Sequence, residues 1–231
     1  MFDSRRLWIT GATNGLGLAL VHQALENGHL VAASGKESRP LETLETRYSS
    51  HVLTLADERQ GAEPGLALQQ AWGALDTLLV NAGGCDHMAG DTPQSQLFEA
   101  IARSNFEACK QYLAQALPLL VKSERPQVMV VLSRHSAQQL SHPTQPASAS
   151  NSLTHWLHEQ RSALKQLGID LTIVAPQPLH SPLPLAIPED WTAEQAAAQL
   201  LERLERRQAE LVLEVLRPDQ LWPLPQQASS T

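Results

Sequence analysis

Residues 7–17 read Leu7-Trp8-Ile9-Thr10-Gly11-Ala12-Thr13-Asn14-Gly15-Leu16-Gly17. Leu7, Trp8 and Ile9 form the short apolar run of a buried strand, and the glycines that follow stand where a strand turns into a helix. Gly11 permits a tight turn, Gly15 lets the backbone approach a phosphate-bearing ligand with no Cβ in the way, and Gly17 lets the helix pack on the sheet. Leu18, Ala19, Leu20, Val21, Ala24 and Leu25 then recur at helical spacing. Unpaired amide N–H groups at the start of that helix would face an anion, which makes Gly11, Thr13, Asn14, Gly15, Leu16 and Gly17 the candidate phosphate-binding residues. An ordinary glycine-rich turn is the other reading of the same pattern.

The chain has 231 residues, 42% of them hydrophobic, enough for one α/β domain with a full core. We expect a domain over 1–217 and a Pro/Gln/Ser-rich tail over 218–231. A formal charge of -7, with no basic run, argues against nucleic acid or an anionic membrane surface as partner. No apolar stretch is long enough to span a bilayer and no signal-like region precedes the first strand, so a cytoplasmic protein is expected. Cys85 and Cys109 are not in metal-ligand spacing and read as free thiols, and the nine histidines are scattered.

In order, strands are expected at Leu7–Ile9, Leu30–Ala33, His51–Leu55, Leu75–Val80, Val128–Leu132, Leu171–Ala175 and Leu211–Val215. Helices are expected after the glycine loop, at about Leu66–Trp72, at Gln96–Val121 with an interruption near Pro118, at Ser150–Leu167, and from Thr192 with Glu194 in its first turn. This alternation specifies a doubly wound parallel sheet of six to seven strands, helices on both faces, with ligands at the carboxyl ends of the strands. Ser34-Gly35-Lys36 closes the second strand without any acidic residue in 31–36. An acidic group there would suit the ribose hydroxyl of NAD, whereas Lys36 suits the 2′-phosphate of NADP, so NADP(H) is expected ahead of NAD(H); a solvated loop lysine is the alternative.

With these motifs the sequence resembles the short-chain dehydrogenase/reductase family along nearly its whole length. Thr10-Gly11-Ala12-Thr13-Asn14-Gly15-Leu16-Gly17 matches the family's Thr-Gly-x-x-x-Gly-x-Gly loop, and Val80-Asn81-Ala82-Gly83 is similar to its Asn-Asn-Ala-Gly segment, with Val80 in place of the first Asn. Asn105 falls where the family keeps a helix asparagine that orders a water, and Pro176 to Ser181 resembles the stretch beside the nicotinamide, with Gln177 in place of Gly. The resemblance implies cofactor contacts from Asp57, Asn81, Ala82, Gly83, Pro176 and Ser181 as well. It also implies a homodimer, or pairing with a related subunit, through the helices at 96–121 and 150–167.

The resemblance fails at the proton donor. A carbonyl oxygen gaining negative charge needs an acid, and in the family a Tyr-x-x-x-Lys supplies a phenol with a cation one helical turn away. The matching positions here are Ala147 and Asn151, and neither of the two tyrosines, Tyr48 and Tyr112, is followed by such a lysine. The family's serine position falls on Arg134, leaving Ser133 as a ligand donor or as a strand-end hydroxyl satisfied by backbone. Asn105 either orders water or bonds helix backbone. His135, His142, His155 and His158 flank the lost motif as replacement acids, although His155 lies some 12 Å along the helix axis from position 147, at about 1.5 Å per residue. The proline-rich segment after Pro176 is shorter than the usual lid. Two expectations follow: an NADP(H)-binding pseudoenzyme acting as regulator or partner subunit, or an NADP-dependent oxidoreductase with a non-standard donor.

Overall fold

A computed structural model of the chain describes residues 4–35, 38–55, 63–81, 94–132, 153–176 and 192–213. The strands are β1 (Arg6–Thr10), β2 (Leu30–Ser34), β3 (Val52–Leu55), β4 (Thr77–Asn81), β5 (Gln127–Val131), β6 (Asp170–Pro176) and β7 (Glu210–Leu213). The helices are α1 (Gly15–Glu26), α2 (Ser38–Tyr48), α3 (Pro64–Trp72), α4 (Gln94–Leu120), α5 (Leu153–Gln166) and α6 (Ala193–Leu204). All strands are parallel in one seven-stranded sheet of order β3-β2-β1-β4-β5-β6-β7. The expected doubly wound sheet is therefore the fold, with its strand order reversing between β1 and β4.

Alternation along the strands divides the core between two faces, as the period of two requires. Leu7, Ile9, Val31, Ala33, Leu79, Met129 and Val174 face α1, α2 and α6, while Trp8, Ala32, Leu78, Val80, Val128, Val130 and Ile173 face α3, α4 and α5. Trp8 is fully buried, its Nε1 donating to Ser34 Oγ at 3.1 Å and its ring meeting Tyr112 edge-on at 5.6 Å. This bond joins the middle of β1 to the carboxyl end of β2.

Two expectations about helices need correction. Helix α4 runs unbroken through Pro118. The proline sits in the last turn, where its missing N–H forfeits a single backbone bond, and buried Ala116, Leu119 and Leu120 hold that turn on the sheet. Helix α2 was not expected at all, yet Leu41 and Leu44 bury its inner side and Tyr48 packs beside them. The expected start at Thr192 holds: its Oγ accepts from Gln195 N at 3.3 Å, and Gln195 Oε1 accepts from Thr192 N at 3.2 Å, a reciprocal cap.

The amino-terminal edge of the sheet is held by ions. Asp76, just before β4, accepts from Arg6 N and Nε at 2.9 Å each, from Arg6 NH2 at 2.8 Å and from Ser123 Oγ at 2.6 Å. Arg207 sits at a left-handed φ of 49° and donates to Asp170 Oδ2 at 2.6 Å and to the Arg125 carbonyl at 2.8 Å, fixing the approach to β7. Among the described residues no helix is long and apolar enough to cross a membrane. The expected tail lies outside the described residues.

Candidate functional site

The order reversal opens a crevice at the carboxyl ends of β1 and β4, and the glycine loop lies across it. Gly11 adopts φ 62°, and a Cβ on it would stand 2.9 Å from the Asn81 carbonyl oxygen. Gly17 is tighter still: a Cβ there would lie 1.9 Å from the Gly11 oxygen and 3.0 Å from Asn81 Nδ2. What presses hardest on the third glycine is thus the loop itself, folded back on the first turn of α1, with Asn81 at the end of β4 beside it. Asn81 ties the two strand ends together, its N–H donating to Thr10 Oγ1 at 3.3 Å and its Nδ2 reaching Gly11 O at 3.5 Å. On the other side Ala12 N donates to Ser34 O at 3.0 Å, and Gly35 passes so close to Thr13 that a Cβ on it would lie 2.5 Å from Thr13 Cγ2.

This packing settles how the loop residues face. Ala12 and Thr13 are buried, and the Leu16 side chain belongs to the core, so Leu16 can offer a ligand only its backbone. Asn14 takes the N-cap position in extended conformation, and its side chain makes no capping bond to α1. Among the described residues the first N–H groups of α1 have no side-chain acceptor, and they stand in the orientation that favours an anion. A backbone cradle lined by three glycines, with an uncapped helix start behind it, fits the diphosphate of a dinucleotide.

Asn105 lies on α4, 8% exposed, with its Nδ2 lacking a hydrogen-bond partner among the described residues. Its Nδ2 therefore makes no bond to the helix backbone among the described residues. A buried donor of this kind needs a water or a ligand. Of the remaining candidates, Lys36, Asp57, Ala82, Gly83, Ser133, Ala147, Asn151 and Ser181 lie outside the described residues, as do His135 and His142; of Pro176 only the backbone, ending β6, is described.

Neither tyrosine is followed four residues later by a lysine. Tyr48 ends α2 just before β3, at the opposite edge of the sheet, where its carbonyl accepts from His51 N at 2.7 Å. Tyr112 lies about two turns beyond Asn105 on α4, against Trp8. His155 is exposed on α5, its Nε2 at 3.1 Å from Glu159 Oε1. Cys109 is buried and free, its thiol pushed up to about 12 by burial, which removes it as a nucleophile. Of the apolar stripe Leu153, Trp156, Leu157, Leu164 and Leu167, the residues Leu153, Leu157 and Leu164 are core and Trp156 meets Phe106 edge-on at 5.7 Å, while Leu167, just past α5, is exposed.

The sequence profile of the family described as short chain dehydrogenase matches residues 5–191. The chain belongs to the short-chain dehydrogenase family. It is 33% identical over 127 residues to cis-2,3-dihydrobiphenyl-2,3-diol dehydrogenase of Paraburkholderia xenovorans, a match covering 50% of this chain and 45% of that enzyme. It is 37% identical over 79 residues to the NADP-dependent 3-hydroxy acid dehydrogenase YdfG of Salmonella typhi, covering 32% of each. The chain thus spans less than half the length of these two relatives. Among solved members, a short-chain dehydrogenase from Streptomyces avermitilis superposes with a TM-score of 0.67 at 16% identity, over 92% of this chain and 89% of that one. RhlG of Pseudomonas aeruginosa, solved in complex with NADP, gives 0.67 at 19% identity, over 92% and 96% of the two chains. These similarities carry the fold of the family.

Proposed function

We propose that this short-chain dehydrogenase relative binds a nicotinamide dinucleotide, NADP(H) ahead of NAD(H). It does not perform the family's usual carbonyl reduction, and works as a nucleotide-responsive regulator or as the non-catalytic partner of an active subunit. The observation that carries the reading is a contrast. The glycine cradle is packed to the limit against Asn81, as a working phosphate site requires, while Ala147 and Asn151 stand where the phenol and its activating cation belong. Nicotinamide supplies hydride transfer when bound. The residues that would hold the dinucleotide are the loop from Gly11 to Gly17, then Asn81, Ala82 and Gly83, with Lys36 and Asp57 on the adenosine side and Pro176 and Ser181 on the nicotinamide side.

Titration of the purified chain with NADPH and NADH, read by nicotinamide fluorescence and melting temperature, tests the binding. A ligand specific for the native state at a hundredfold excess over Kd adds about 2.7 kcal/mol of stability. NADPH is expected to bind more tightly, and Lys36→Glu to reverse the order; no shift with either nucleotide refutes the proposal.

The buried Asn105 amide supports a second reading, in which water held there serves an NADP-dependent oxidoreductase with a non-standard proton donor. Its similarity to dihydrodiol and 3-hydroxy acid dehydrogenases points to small alcohols and ketones as its substrate class. The combined substitution Ala147→Tyr and Asn151→Lys separates the two. If the wild-type chain is silent with such a panel and the double variant oxidises NADPH with any member, the first reading stands. Wild-type turnover supports the second.

A further inference from the structure

The carboxyl end of α1 is tied to the entry of β1 through a histidine. Gly28 turns the chain at a left-handed φ of 81°, its N–H donating to the Leu25 carbonyl at 3.0 Å, and the His29 N–H donates to the Ala24 carbonyl at 3.0 Å. This paired closure of the helix end fixes where residue 29 stands. Three bonds then join the turn to the strand entry: Ser4 Oγ donates to the Gly28 carbonyl at 2.9 Å, Arg5 N to His29 Nδ1 at 3.3 Å, and Leu30 N to the Arg5 carbonyl at 2.8 Å. The outer two use carbonyl acceptors, which do not titrate. The middle one needs a ring nitrogen that carries no proton.

Both partners of that middle bond are buried, His29 at 7% exposed and Arg5 at 6%. A proton on Nδ1 sets one donor against another and costs the buried Arg5 N–H its acceptor. The charges around the ring come from three elements. Arg5, entering β1, opposes a second positive charge beside it, while Glu205, just past α6, favours one. Glu202 lines the hollow next to the ring but is paired with Arg206 at 2.9 Å, and α1 contributes neutral Gln23 and Asn27 there, with the partial negative charge of its carboxyl end. Arg125 and Arg207 act on Arg5 rather than on the ring. Burial is the largest influence, and together with Arg5 it outweighs Glu205 and holds the imidazole below its ordinary 6.5.

We propose that His29 is an acid-released latch: neutral, it holds the entry of β1 on the end of α1, and protonated it lets go. The fold favours the neutral ring. The latch therefore contributes stability that is fully present above the unfolded value of about 6.5 and is lost as pH falls below it towards the folded one. It stands at the far end of α1 from the glycine loop, 12 residues or about 18 Å away at about 1.5 Å per residue. It does not rest on dinucleotide binding.

The test is an NMR titration of the full chain between about pH 8 and pH 5, following the His29 ring and the Arg5 amide. The ring is expected to titrate below 6.5, with its proton on Nε2 at the alkaline end, and the Arg5 amide signal to shift with the same midpoint. Urea melts use His29→Asn as reference, since the Asn Oδ1 can accept in place of Nδ1 and does not titrate. The folding equilibrium constant of the wild type relative to this variant is expected to fall about threefold or more between pH 7.5 and pH 5. The ratio cancels the other histidines. A ring that titrates at or above 6.5, an Arg5 amide that does not follow it, or a ratio independent of pH overturns the proposal. If His29→Asn does not fold, the wild-type titration decides alone.

Discussion

Gly17→Ala is expected to lose about 3 kcal/mol of stability and about 100-fold in NADPH affinity. The new methyl carbon would lie 1.9 Å from the Gly11 oxygen and 2.7 Å from its carbonyl carbon. Neither obstacle is a side chain that can rotate away, so the loop must lift off α1 and lose its contact with Asn81. Overpacking costs about 1–3 kcal/mol, and a backbone collision belongs at the upper end. If the same distortion must be reversed on binding, about 3 kcal/mol corresponds to about two orders of magnitude in Kd. Gly73→Ala is the control. Unlike Gly17, Gly73 has a left-handed φ, 71°, but a Cβ there meets nothing within 4 Å, so its loss is about 1 kcal/mol, with NADPH binding unchanged. Urea unfolding and fluorescence titration read both quantities. A Gly17→Ala chain as stable and as retentive as the wild type would refute the loop packing described above.

The second large effect is expected at Asp76. Burial opposes ionisation of this carboxyl, but hydrogen bonds from Arg6 and Ser123 outweigh it and hold the group down to about 2, below the ordinary 3.8. A depressed carboxylate contributes stability that is fully present above its unfolded value and is lost as pH falls through the folded one. The shift corresponds to about 2 kcal/mol at about 1.4 kcal/mol per unit. Asp76→Asn should therefore cost about 2–3 kcal/mol at pH 7, because it also turns an amide donor toward Arg6. The deficit should narrow by about 2 kcal/mol between pH 4 and pH 2, where the wild-type carboxyl takes up its proton. Denaturant melts of both chains across that range check it; a deficit independent of pH would mean that Asp76 acts through shape alone.

The sheet was legible because its signals are local. Apolar runs such as Leu78–Val80 and Val128–Val130 are bounded by turn residues, and each expected strand lies within a residue or two of its observed position. Helix α2 was harder, since only Leu41, Leu44 and Tyr48 mark its inner face and Pro40 in its first turn resembles a loop. Pro118 misled for the opposite reason: proline is a strong breaker in a helix interior and a mild one in a last turn. At the crevice, the glycines announced the loop, but not that Gly17 is pressed by Gly11.

The reversal of strand order has a consequence for how this chain is made. Leu7 pairs with Thr77 across the middle of the sheet, so β1 keeps one hydrogen-bonding edge open until β4 has left the ribosome. Thr10 and Gly11, one wall of the crevice, wait for Asn81, the other wall, and β4 in turn waits for β5. Long-range parallel pairing of this kind is slow, and an unpaired strand edge invites other chains. The nascent protein thus passes through its most adhesive state while the centre of the future binding site is still half built.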